Sequence, residues 1–145
     1  MQNCNEIIPY LFLGNRSSID VPNMQFSLLV NCTEDVKFPA YQAEFIRLSV
    51  KDDPYQSTTM YNLIVAQNVL DKIHSYVVNK KPVLVYCGQG SQRSCAVVAC
   101  YLIKYYGSSP EYAIQFIKSK HPMAFFGNIN FIQTIGMVSA SSYNN

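Results

Sequence analysis

A chain of 145 residues suits one domain with a sizeable core, and 49% hydrophobic against 14% charged residues excludes a disordered or fibrous protein. A net charge of +2 without a long basic run gives no argument for a nucleic-acid partner or an anionic membrane surface. No apolar run has membrane-spanning length and the first residues lack signal-peptide character, so an intracellular, cytoplasmic protein with reduced thiols is expected; the five cysteines form no Cys-x-x-Cys pair and argue against a metal site.

Residues 7–14 read as a short strand ended by Gly14. Residues 27–32 read as a second strand. Residues 44–50 read as a third, with Phe45, Arg47 and Ser49 alternating against Ile46, Leu48 and Val50. Residues 51–57 carry turn chemistry around Pro54. From Thr58 to about Val78, Leu63, Ile64, Val65, Val69, Leu70, Ile73 and Val77 recur at helical spacing and predict one long helix. Residues 82–86 form the most apolar strand. The next helix starts near Arg93 and ends at Gly107, a residue suited to the left-handed position after a helix. Ser109 and Pro110 open another helix as N-cap and first residue. A last helix is expected from about Ile129 to Val138, with residues 139–145 frayed. Strands alternating with helices predict a single α/β domain over residues 1–145: a mostly parallel sheet of four to five strands flanked by helices.

The chemistry concentrates between the last strand and the helix after it, in Cys87-Gly88-Gln89-Gly90-Ser91-Gln92-Arg93-Ser94. At the carboxyl end of a strand, where open α/β sheets bind ligands, backbone N–H groups of such a loop and the helix N-terminus converge on an oxyanion. Gly88 and Gly90 let the backbone approach a ligand, and the forked guanidinium of Arg93 suits two phosphate oxygens. A thiol in that positive setting is a candidate nucleophile. Cys32, Cys95 and Cys100 sit in apolar runs and read as core. His74 reads as a helix-surface residue and His121 as a helix end. Asp20, Asp35 and Asp71 read as structural.

The Cys-x-x-Gly-x-x-Arg-Ser loop resembles that of the cysteine-based protein phosphatases, and the chain is similar to their dual-specificity branch. Residues 8–14 resemble the opening strand of that branch, and residues 28–33 its second. Residues 45–53 resemble the strand leading to the general-acid loop. Asn128, Ile129, Asn130, Phe131 and Ile135 resemble the closing helix. The resemblance spans nearly the whole chain in order, and its length is that of a bare catalytic core, a compact form that also occurs in large DNA viruses.

The resemblance implies hydrolysis of phosphotyrosine and phosphoserine/threonine in proteins. Cys87 would be the nucleophile, the backbone of Gly88, Gln89, Gly90, Ser91, Gln92 and Arg93 the phosphate cradle, and Ser94 a donor to sulfur, without a cofactor. The general acid is Asp52 or Asp53: counting from Phe45 favours Asp52, while counting back from residues 69–71 favours Asp53, and Asp52 is preferred. Tyr55, Phe125 and Phe126 are candidates for the substrate cleft. The loop departs from the family in two ways. Tyr86 stands where histidine is usual, which implies a less readily ionised thiol and slower turnover, and Gln89-Gly90-Ser91-Gln92 replaces the usual Ala-Gly-x-Ser. The competing readings are a phosphoprotein-binding pseudophosphatase and a phosphatase of non-protein esters, and monomer and homodimer remain equally open.

Overall fold

The structure, a computed structural model, describes residues 4–143. A five-stranded sheet runs in the order β1-β2-β5-β3-β4, from β1 (Cys4–Ile8), β2 (Leu11–Gly14), β3 (Leu28–Asn31), β4 (Glu44–Arg47) and β5 (Val83–Tyr86). Only β1 is antiparallel to its neighbour. The parallel strands end level with one another, Gly14 and Asn31 opposite Tyr86 and Arg47 opposite Asn31. Every segment leaving those strands therefore emerges at one edge of the sheet, and the loop after Tyr86 leaves from its middle strand.

β3 and β5 are buried along their whole length because both sheet faces are covered, which is why they read as unbroken apolar runs. The larger core lies under α1 (Ser57–Ala66), α2 (Val69–Val78), α3 (Arg93–Tyr106), α4 (Pro110–Lys120) and α5 (Ile132–Tyr143), and takes in Leu28, Val30, Val83, Val85 and the buried face of α3. A smaller core on the opposite face holds Cys4, Ile19, Phe26, Leu29, Leu84 and Tyr86 beneath connecting segments. No helix among the described residues is long and apolar enough to cross a membrane.

Four boundaries differ from the sequence expectation. The expected strand over residues 7–14 is the middle of a hairpin: Tyr10 adopts φ 74, and its N–H donates to Glu6 Oε2 at 3.0 Å, so the chain reverses between β1 and β2. The expected long helix breaks at Asn68 (φ 53, ψ 44), a residue type that tolerates the left-handed region, which redirects α2 so that Val69, Leu70 and Ile73 are buried. The third strand pairs only as far as Arg47. Beyond it Val50 N–H turns back to Leu48 O at 2.9 Å, and both side chains cap the core. The last helix starts later and runs further, because Gln92 takes the N–H of Asn130 at 3.0 Å, while Ser141 and Ser142 Oγ donate to Met137 O and Val138 O at 2.9 Å. The frayed tail expected from Ser139 is thus helix to Tyr143, and residues 144–145 lie outside the described residues.

Candidate active site

Cys87 follows β5 and is 2% exposed. Its Sγ lies 3.1 Å from Ser94 Oγ, in the first turn of α3, so the sequence's candidate nucleophile and candidate sulfur donor are in direct contact. Gln92 precedes α3 without a side-chain cap, leaving the first N–H groups of that helix facing the loop. Gln89 alone among residues 88–92 is exposed.

What shapes the loop is the fate of its carbonyls. Gly88 O accepts from Arg16 N–H at 3.2 Å and from Arg16 Nε at 3.3 Å. Gly90 O accepts from His121 Nε2 at 2.7 Å, and Ser91 O from Phe125 N–H at 2.7 Å. In a trans peptide the N–H points opposite to the carbonyl, so pinning these three carbonyls outward turns the N–H groups of Gln89, Ser91 and Gln92 toward the other side. Among the described residues no protein acceptor receives the N–H of residues 88–92. Gly90 (φ 71) is required: a Cβ there would lie 2.9 Å from Gly14 O.

The side chains of Ser91 and Gln92 serve the same scaffold. Ser91 Oγ accepts from Phe126 N–H at 3.3 Å. Gln92 Nε2 donates to Phe126 O at 3.1 Å and Asn128 O at 2.6 Å, while Gln92 Oε1 takes Asn130 N–H at 3.0 Å. Only the backbones of these two residues remain for a ligand.

Arg93 Nη1 donates to Val50 O at 3.0 Å, tying the loop to the segment after β4. Its Nε is buried and has no hydrogen-bond partner among the described residues, a donor that an oxyanion would satisfy. That segment also separates the two acid candidates. Asp53 Oδ1 accepts from Tyr55 N–H at 2.9 Å and caps a short helical turn over Pro54–Gln56. Asp52 is exposed, and its Oδ1 accepts from Asn130 Nδ2 at 2.9 Å, which holds it beside the segment clamped by Gln92.

Other expectations sort differently. Tyr55 and Phe126 are exposed, at 93% and 76%, whereas Phe125 is 2% exposed and belongs to the core rather than to a cleft. Tyr86 lies in the smaller core, and its hydroxyl donates to Lys37 O at 3.0 Å rather than reaching the thiol. Burial pushes the Cys32, Cys95 and Cys100 thiols up, Cys100 to about 12, so they are neutral core groups. His74 Nδ1 lies 2.9 Å from Tyr101 Oη and its ring stacks on Tyr105. His121 does end α4, but it is 1% exposed and supports the loop besides. Arg16, and the site roles of Asn130 and His121, escaped sequence reasoning because these residues meet the site across 31 or more positions.

Residues 11–139 match the family model "Dual specificity phosphatase, catalytic domain". The chain is 29% identical over 131 residues to "Putative tyrosine phosphatase 123R" of Invertebrate iridescent virus 6, covering 90% of this chain and 87% of that protein. It is 28% identical over 123 residues to mouse dual specificity phosphatase 28, covering 81% and 73%. The crystal structure of human DUSP28 superposes with a TM-score of 0.84 at 24% identity, over 96% of this chain and 94% of that one. A family match across most of the chain, on a shared overall fold, makes this protein a member of the dual specificity phosphatase catalytic-domain family, a protein-tyrosine/dual-specificity phosphatase.

Proposed function

We propose that this chain hydrolyses phosphotyrosine and phosphoserine/threonine in protein substrates through a phosphocysteine. The Cys87 thiolate attacks phosphorus in line, an S–P bond forms and the P–O bond to the leaving side chain breaks. The N–H groups of residues 88–93 and the Arg93 guanidinium carry the charge on the equatorial oxygens. Asp52 gives its proton to the leaving oxygen, then takes one from the water that attacks phosphorus, and the S–P bond breaks to release phosphate. Ser94 Oγ donates to the departing sulfur. The observation that carries the reading is the 3.1 Å contact between Cys87 Sγ and Ser94 Oγ at the foot of a loop with its carbonyls tied outward. Asp52 is taken as the acid because Asn130 Nδ2 holds its exposed carboxylate beside the segment clamped by Gln92, whereas the Asp53 carboxylate caps the turn over Pro54–Gln56.

Turnover of a small aryl phosphate by wild type and Cys87→Ser tests the nucleophile: activity should vanish in the variant, and Cys87-independent turnover overturns the assignment. Asp52→Asn should lower kcat by about 10²-fold or more and flatten the limb of the pH profile set by the acid. Asp53→Asn should keep that limb; the reverse pattern would move the acid to Asp53.

A further inference from the structure

We infer that the catalytic loop is flanked by a second anion-binding subsite, built from Arg16 and Lys37, that takes a carboxylate or second phosphate next to the scissile phosphoresidue of a peptide. The inference rests on the proposed Cys87 site.

Arg16 is the first residue after the Gly14–Asn15 exit of β2, and its backbone N–H and Nε both fasten to Gly88 O. A Cβ at position 88 would lie 2.9 Å from Arg16 Nη2 and 3.3 Å from Arg93 Nη2, so two guanidinium groups flank one point of the loop. Arg93 belongs to the reaction. Arg16 is exposed, and it lines a cavity of about 260 Å³ together with Asp35, Val36 and Lys37.

The far wall of that cavity is built, not loose. Val36 O accepts from Asn31 Nδ2 at 2.7 Å and Arg47 Nη2 at 2.9 Å, and Thr33 O accepts from Arg47 Nη1 at 3.0 Å. Val36 N–H donates to Thr33 Oγ1 at 2.9 Å. Tyr86, the buried last residue of β5, closes the set through its hydroxyl on Lys37 O at 3.0 Å. The departure from the usual histidine thus supports a pocket wall beside the loop. Two exposed cations, Arg16 and Lys37, line the cavity with one carboxylate, Asp35, so its lining prefers an anion. An extended peptide advances about 3.3–3.6 Å per residue, so a flanking acidic group one or two residues from the scissile phosphate is the ligand that can span both sites.

The test uses Cys87→Ser protein, so that binding is read without turnover, and three phosphotyrosine peptides differing in one flanking residue: alanine, glutamate or phosphothreonine. The parent should bind the two anionic peptides at least about threefold more tightly than the alanine peptide, the gain falling with added salt. Adding Arg16→Gln or Lys37→Gln should reduce that preference by about two- to threefold, and Asp35→Asn should raise it. A purely structural Arg16 would weaken all three peptides alike and leave the ratio unchanged. Equal affinities in the parent, or a ratio indifferent to all three charge changes, overturns the subsite. A preference for phosphothreonine alone identifies the source as a second phosphate; an equal gain with glutamate identifies it as any acidic residue. Failure of the catalytic reading shows separately, as aryl phosphate turnover that does not depend on Cys87.

Discussion

At the scale of single residues, two glycines with nearly the same backbone carry different duties. Gly90 and Gly107 adopt φ 71 and φ 66, where an L side chain costs roughly 1–2 kcal/mol. A Cβ on Gly107 meets nothing within 4 Å, so Gly107→Ala should cost about 1 kcal/mol in urea unfolding and leave turnover alone. A Cβ on Gly90 meets the Gly14 carbonyl at 2.9 Å, and backbone cannot swing aside as a side chain can. Gly90→Ala should therefore cost more than about 2 kcal/mol and depress kcat as the loop shifts. Equal unfolding costs for the two variants would contradict this account. Both glycines are plain in the sequence, but what each Cβ would strike is not, because Gly14 lies 76 positions from Gly90. Tyr86 teaches the same lesson. Its identity marked a departure from the family pattern, while the direction of its hydroxyl depended on which sheet face position 86 occupies.

At the scale of elements, the segment between α4 and α5 behaves as a brace for the catalytic loop. His121, Phe125 and Phe126 hold Gly90 and Ser91 from one side, and Gln92 reaches back to Asn128 and Asn130. Burial holds the His121 imidazole below its ordinary pKa, although its bond to Gly90 O opposes that shift. The unfolded chain therefore takes up a proton at a higher pH than the folded one, and the folded state is favoured while the ring stays neutral. This contribution is complete above about pH 6.5 and is lost as pH falls below that value toward the folded pKa. The melting temperature should decline over that interval, and His121→Asn should remove that part of the decline; identical pH profiles for the two proteins would refute it. The element order was legible because apolar periodicity and punctuation by glycine and proline are local signals. The break at Asn68 was not, since asparagine tolerates a left-handed backbone without demanding it, and only the packing of Val69 and Leu70 selects it.

At the scale of the whole molecule, the sheet divides the core unequally. The face under the helices is broad, whereas the face holding Leu84 and Tyr86 is closed by connecting segments. Leu84→Ala should cost about 3 kcal/mol, or roughly 10 °C in melting temperature, and should loosen the Lys37 wall along with it. A loss below about 1 kcal/mol would mean that this face collapses around the cavity. The α/β class and the position of the Cys87 loop were readable because strand, loop and helix follow one another directly in the chain. The bracing of that loop was not, because its partners are recruited from both ends of the sequence. Arg16 and Gly14 approach from the N-terminal side and residues 121–130 from the C-terminal side, while Cys87 and Ser94 sit between them. Anion affinity consequently needs both ends of the chain in place. A nascent chain ending before residue 121 would carry its thiol, its glycines and Arg93, yet lack the bonds that aim the loop, and would be a phosphatase in composition before it is one in chemistry.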